Sequence, residues 1–192
     1  MSSNSWNQAL FTQHVPGPTL TAAAAASLLV AASPVAGQNR FTIPANTFKE
    51  GDSITVRAFG IVSCAVTTPG TFRIDLRFGS TVVFDTGAIP LNIVAQTNVP
   101  WWLDVDLSIQ TIGAGTTATL YGQGILITPA TINVAAQSTG PGPGGNILPY
   151  NSVPAISSGF DSTIANVFDS FFTQTVATGS FTCRSFRATL NT

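Results

Sequence analysis

From Arg40 onward, outside residues 128–159, apolar and polar residues alternate, and this period of two constrains the fold more than any other feature of the sequence. Phe72, Ile74, Leu76 and Phe78 occupy one parity, and Arg73, Asp75 and Arg77 the other. Trp101, Leu103, Val105, Leu107 and Ile109 alternate in the same way with Trp102, Asp104, Asp106, Ser108 and Gln110. Successive side chains of a strand point to opposite faces, so each run predicts a strand with one buried and one exposed side.

The series opens at Phe41 to Gly60, FTIPANTFKEGDSITVRAFG. A short strand, a turn at Asn46 and Lys49-Glu50-Gly51-Asp52, and a long strand from Ser53 follow one another. Ile54, Val56 and Ala58 share one parity, after which Phe59 and Ile61 occupy the other. Such a switch predicts a bulge or bend near Gly60. Thr67-Thr68-Pro69-Gly70, Gly79-Ser80, Asp85-Thr86-Gly87 and Gly113-Ala114-Gly115 punctuate the rest as turns. The strands continue through Phe160 to Thr175 and end with Ser180 to Leu190. About eight strands with antiparallel turn spacings and no internal helix predict an all-β fold, an antiparallel two-sheet jelly-roll sandwich.

Two segments stand outside that rhythm. Residues 1–38 contain a polar lead, the turn Pro16-Gly17-Pro18 and the run TLTAAAAASLLVAAS, with no Lys or Arg before Arg40. A secretory signal would begin with a charged region and an early apolar core, and a membrane span would need a longer and more apolar run. The expectation is an extended N-terminal arm attached to a jelly-roll domain at residues 39–192. Residues 128–159 hold five of the twelve prolines and five of the seventeen glycines, which predicts a long loop or second arm inserted in that domain. Ile147, Leu148, Tyr150, Val153 and Ile156 would anchor it to a neighbouring surface.

Charge narrows the functional classes. Only 8% of the 192 residues are charged, against roughly 25% in an ordinary soluble domain, and the formal net charge is -1. Nothing pulls the chain toward phosphates or anionic lipid, so neither nucleic acid nor membrane is an expected partner. A neutral surface favours association instead.

Catalytic chemistry finds little to work with. The single histidine, His14, sits in the polar lead, and no Ser-His-Asp set, GxSxG elbow or Walker loop is present. Asp104 and Asp106 share a strand face and are read as cross-strand partners of Arg73 and Arg77 rather than as a calcium site, which would need more oxygen ligands. Cys64 and Cys183 are expected to be buried thiols, although two cysteines would also allow one bridge. No enzyme activity and no cofactor is expected. In the Trp101-Trp102 pair, alternation sends one indole inward and one outward, and an exposed Trp suits a subunit contact or a sugar platform.

Read together, FTIPANTFKEGDSITVRAFG, TPGTFRIDLRFGSTVVFDTG, WWLDVDLSIQTIGAGTTATLYGQG and the closing FDSTIANVF and SFTCRSFRATL resemble small structural proteins of tailed bacteriophages. The similarity lies in turn motifs and spans about Phe41 to Gly124 plus the last strands. Residues 1–38 and 128–159 have no counterpart in it. The resemblance implies a non-enzymatic jelly-roll virion component, made in the host cytoplasm and carried on the capsid exterior. In that role it would act as a homotrimeric capsid cement or decoration protein bound to the major capsid protein. A head-fibre or tail-fibre module that binds host-surface carbohydrate, with Trp102 and Tyr150 as platforms, is the alternative. Leu28, Leu29, Val30, Trp102, Ile147, Leu148 and Tyr150 are the candidate partner or subunit contacts.

Overall fold

The computed structural model describes residues 7–13, 15–29, 40–65, 68–132 and 144–192. Among these residues there are thirteen strands and no helix. The first seven are β1 (Asn7–Gln13), β2 (Thr19–Leu20), β3 (Ala26–Ser27), β4 (Phe41–Ile43), β5 (Ser53–Cys64), β6 (Thr71–Phe78) and β7 (Thr81–Asp85). They are followed by β8 (Ile89–Pro90), β9 (Gln96–Thr111), β10 (Thr119–Thr128), β11 (Gly144–Leu148), β12 (Asn166–Gln174) and β13 (Ser180–Asn191).

Every strand pair is antiparallel, and the strands form two sheets. The first has the order β1-β13-β5-β9-β10-β11, with β2 also on β13. The second has the order β3-β12-β6-β7, with β4 also on β12 and β8 on β6. The pairing is nested: β1 meets β13, β3 and β4 meet β12, β5 meets β9, and β6 meets β7. A long two-stranded ribbon rolled over on itself gives this order, which is the order a jelly roll requires. The β10–β11 hairpin then extends the first sheet beyond β9.

The alternation seen in the sequence packs the space between the sheets. Ile54, Val56 and Ala58 of β5, Phe72, Ile74 and Leu76 of β6, and Trp101, Leu103 and Val105 of β9 are all buried. Aromatic rings bridge the two layers. Phe181 of β13 stacks on Phe172 of β12 at 4.4 Å between centroids, and Phe186 of β13 meets Phe168 of β12 at 6.4 Å. Large aromatic side chains bury the most area per residue, which lets a chain with few charges still hold two sheets together.

The structure departs from the expected N-terminal arm over the residues it describes. β1 runs along β13 from Asn7↔Asn191 to Gln13↔Phe186, with a register shift between Ala9 and Phe11. That irregularity turns two consecutive residues, Leu10 and Phe11, toward the core, and Phe11 stacks on Phe186 at 5.3 Å. Among the described residues of the alanine run there is no helix. Thr21 to Ala25 lie exposed where the chain passes from β2 on the first sheet to β3 on the second, held by Gln174 Nε2 donating to the Thr21 carbonyl at 2.7 Å. Leu28 N–H then donates to the Ser170 carbonyl at 2.8 Å. The N-terminal segment therefore supplies the first strands of the roll.

Two further expectations change. β5 does not switch parity at Gly60: its inner residues run on through Gly60, Val62 and Cys64, so Phe59 and Ile61 lie on the outer face. The irregularity near Gly60 lies instead on the partner strand, where β13 shifts register at Cys183/Ser185 opposite Phe59 and Gly60, and a second shift falls at Val62/Cys64 in the pairing with β9. Within residues 128–159, β11 adds a strand to β10 from Gly124↔Leu148 to Thr128↔Gly144. The predicted hairpin at Gly79-Ser80 is present, with Gly79 at φ 59° in the left-handed region that a tight turn needs.

Candidate docking face

The outer face of the first sheet is graded from polar to apolar in successive rows that cross the strands. The most polar row runs Asn7, Asn191, Ser53, Ser108 and Tyr121. The next holds Thr189, Thr55, Asp106 and Gln123. Arg187, Arg57, Asp104, Ile125 and Ile147 form the third, and Ser185, Phe59, Trp102, Ile127 and Gly145 the last.

Cross-strand pairing builds the apolar end. Phe59 and Trp102 are opposite one another and stack at 5.7 Å with planes 10° apart, yet they remain 44% and 43% exposed. Ile125 and Ile127 extend the patch on β10, and Ile147, 76% exposed, completes it on β11. Between Phe59, Pro100, Trp102, Ile127 and Pro129 lies a depression of about 400 Å³. Single exposed apolar residues are common, and it is their grouping on one sheet face that makes this patch the candidate docking surface.

Next to the patch, the aspartates of β9 have partners on β5. Arg57 Nε lies 2.9 Å from Asp104 Oδ2, and the Thr55 hydroxyl donates to Asp106 Oδ1 at 2.7 Å. The partners expected for these aspartates, Arg73 and Arg77, belong to the other sheet. There Arg73 pairs with Asp85 at 3.1 Å, and Arg77 forks onto Asp75 while its guanidinium lies 3.9 Å over the Phe171 ring. Which strands become neighbours is decided by the roll, and alternation alone carries no information about it.

The outer face of the second sheet is ionic and largely self-satisfied. Asp169 is buried there, accepting from the Ser27 hydroxyl at 2.6 Å and the Ser170 N–H at 2.8 Å, with Arg40 Nε 2.9 Å away. Burial pushes its carboxyl above the ordinary range, against the opposing pull of Ser27, Arg40, the Ser170 N–H and Arg77. Ser27 and Arg40 flank the segment between β3 and β4, so one carboxylate fastens both of its ends.

The seven expected contact residues divide. Trp102 and Ile147 lie on the graded face and are joined into one patch through Ile125 and Ile127. Leu28, Leu29 and Leu148 are buried within the chain's own core, and Tyr150 packs half-buried against it, with its N–H donating to the Thr86 carbonyl at 2.7 Å. These four serve the fold. Val30, like His14, lies outside the described residues. Phe59 was hidden by the supposed parity switch at Gly60; continuous alternation from Ile54 to Val62 is the signal that finds it.

Cys64 and Cys183 are both free and buried. Burial pushes the Cys183 thiol up to about 12 and raises Cys64 as well. Among the described residues, no group of three His, Cys, Asp or Glu side chains is placed to hold a metal ion.

No family model and no curated protein matches this chain. A solved structure described as the CBM2 module of the evolved Dit of Lactobacillus casei BL23 phage J-1 is similar to it at 10% sequence identity, with 96% of each chain covered and a TM-score of 0.36. A likeness this loose carries no argument about function.

Proposed function

We propose that this chain is a non-enzymatic structural protein of a bacteriophage virion that docks through the apolar end of its first sheet. In its finer form the reading is a capsid cement or decoration protein, a homotrimer seated on the capsid exterior and bridging junctions of the major capsid protein. The observation that carries it is the exposed patch of Phe59, Trp102, Ile125, Ile127 and Ile147 on a chain with a formal net charge of -1. The turn motifs that resemble tailed-phage structural proteins give the setting. A three-fold module with a modest contact at each foot gains avidity because its second and third contacts form intramolecularly.

Copy number and position in purified particles test this reading. Many copies at three-fold or quasi-three-fold positions are expected, and a few copies confined to one vertex would overturn the cement role. A second reading, a fibre module that binds host-surface carbohydrate, draws on the same Phe59–Trp102 pair, because stacked rings exposed on a sheet offer an apolar platform to a sugar. Several strong hits on a glycan array would favour it.

A further inference from the structure

At the polar end of the same face, Asn7, Thr55, Arg57, Arg187, Thr189 and Asn191 line a cleft of about 210 Å³. Its walls come from β1, β13 and β5, held side by side in register from Asn7↔Asn191 and Asn191↔Ser53 to Arg187↔Arg57. Nothing described so far uses it. Below the roughly 300 Å³ at which drug-sized pockets begin, its volume suits one small polar unit.

The charges of the cleft are unbalanced in a specific way. Arg187 is directly opposite Arg57, and like charges facing each other across an antiparallel pair are destabilising. Arg57 has a counter-ion in Asp104, and Arg40, Arg73 and Arg77 each have one elsewhere. Arg187 is exposed and, among the described residues, has no carboxylate within ion-pair distance. The neutral groups around it are partly committed. Asn191 Nδ2 donates to Ser53 and Thr55, and Thr55 donates onward to Asp106, which leaves the Asn7 amide, the Thr189 hydroxyl and the Arg187 fork facing the cleft.

We propose that this cleft binds a small hydroxylated carboxylate, the chemistry of a single uronic acid unit, with Arg187 as the charge that recognises it. A guanidinium presents a planar fork of donors that matches a carboxylate in two parallel hydrogen bonds. Arg187, with no carboxylate at ion-pair distance among the described residues, is the group that calls for a negative charge. Asp106 on the adjacent strand, held by Thr55, repels a second, which selects a monoanion over a phosphate dianion. The amide and hydroxyl groups match the ring hydroxyls of a sugar acid.

The test is a titration of the isotope-labelled full chain, followed by amide NMR, with sodium glucuronate, glucose and inorganic phosphate at constant ionic strength. Saturable shifts at Asn7, Arg57, Arg187 and Asn191 are expected with glucuronate, at least tenfold weaker with glucose and with phosphate. Arg187→Gln, a change at an exposed side chain, is expected to weaken glucuronate at least tenfold while leaving the shifts of the core strands in place. Glucose or phosphate binding as tight as glucuronate, undiminished glucuronate binding by the variant, or no saturable shift at these amides would each overturn the proposal. Should Arg187→Gln disturb the core shifts, Asn7→Ala serves as the second variant, with weakened glucuronate binding expected and unchanged binding counting against the site.

Discussion

Trp101 lies directly opposite Gly60 in the β5–β9 register, and its indole N–H reaches past that glycine to the carbonyl of Thr182 at 3.2 Å. The arrangement ties three adjacent strands together at the point where β13 carries its register shift. It depends on the missing side chain. A Cβ at residue 60 would come within 2.0 Å of the Thr182 carbonyl oxygen and 2.9 Å of Trp101 Nε1.

Gly60→Ala is therefore expected to destabilise the chain by about 2–3 kcal/mol, through overpacking and displacement of a buried hydrogen bond. Urea unfolding read by tryptophan fluorescence checks this. An unchanged midpoint would mean that β5 and β13 separate at this point without cost.

Truncation tests the role of the N-terminal segment. Removing residues 1–38 takes away β1 and β2 from one side of β13, together with the buried side chains of Leu10, Phe11, Leu28 and Leu29. At about 1.5–3 kcal/mol for each buried side chain, the loss rivals the whole stability of about 5–15 kcal/mol typical of a domain. The truncated chain is expected to lose cooperative unfolding and to aggregate. A soluble product with a sharp thermal transition would return the segment to the status of an arm.

The sandwich was legible because its long strands obey one simple rule. β6 and β9 each keep a strict alternation, and their inner residues are the ones that became the core. β1 was not legible, because a register shift between Ala9 and Phe11 buries two adjacent residues and erases the alternation that would have marked NQALFTQ as a strand. Phe59 was misplaced for the opposite reason. Its strand is regular, and an exposed aromatic on a regular strand imitates a change of parity. The partners of Asp104 and Asp106 depend on which strands the roll brings side by side, a property of pairs far apart in the chain. Two of the five patch residues, Trp102 and Ile147, followed from alternation and loop composition. The other three, Phe59, Ile125 and Ile127, required knowing that β5, β9, β10 and β11 lie in one row.

Alkaline pH provides a reading of the core around Cys183. Its thiol, buried and directed at the Ser185 carbonyl, is pushed up to about 12 from an ordinary value of 9.0. Below pH 9 the folded and unfolded chains both hold this proton, so stability is unaffected. Between pH 9 and 12 the unfolded chain releases it and the folded chain does not, so stability falls by about 1.4 kcal/mol per pH unit from this group. Urea midpoints at pH 8 and 10 are expected to converge more closely in Cys183→Ala than in the unmodified chain, and an equal drop in both would remove Cys183 as the cause. Native protein at pH 8 is also expected to resist thiol alkylation at this position.

The docking reading makes its sharpest demand at Trp102. The indole is 43% exposed and contacts Phe59 across the strands, so its truncation costs the fold little, about 1 kcal/mol or less. If the apolar end of the face is where the virion partner sits, Trp102 occupies the middle of a row between Phe59 and Ile127, the position where interface energy concentrates. Trp102→Ala is expected to reduce rebinding to particles stripped of this protein by at least tenfold, about 1.4 kcal/mol or more, with a nearly unchanged urea midpoint. Ile147→Asp, at the edge of the same patch, should weaken binding in the same direction by introducing an unpaired charge. Arg73→Gln, on the outer face of the other sheet, should leave it alone. Rebinding that is lost with Arg73→Gln and retained with Trp102→Ala would transfer the docking role from the first sheet to the second.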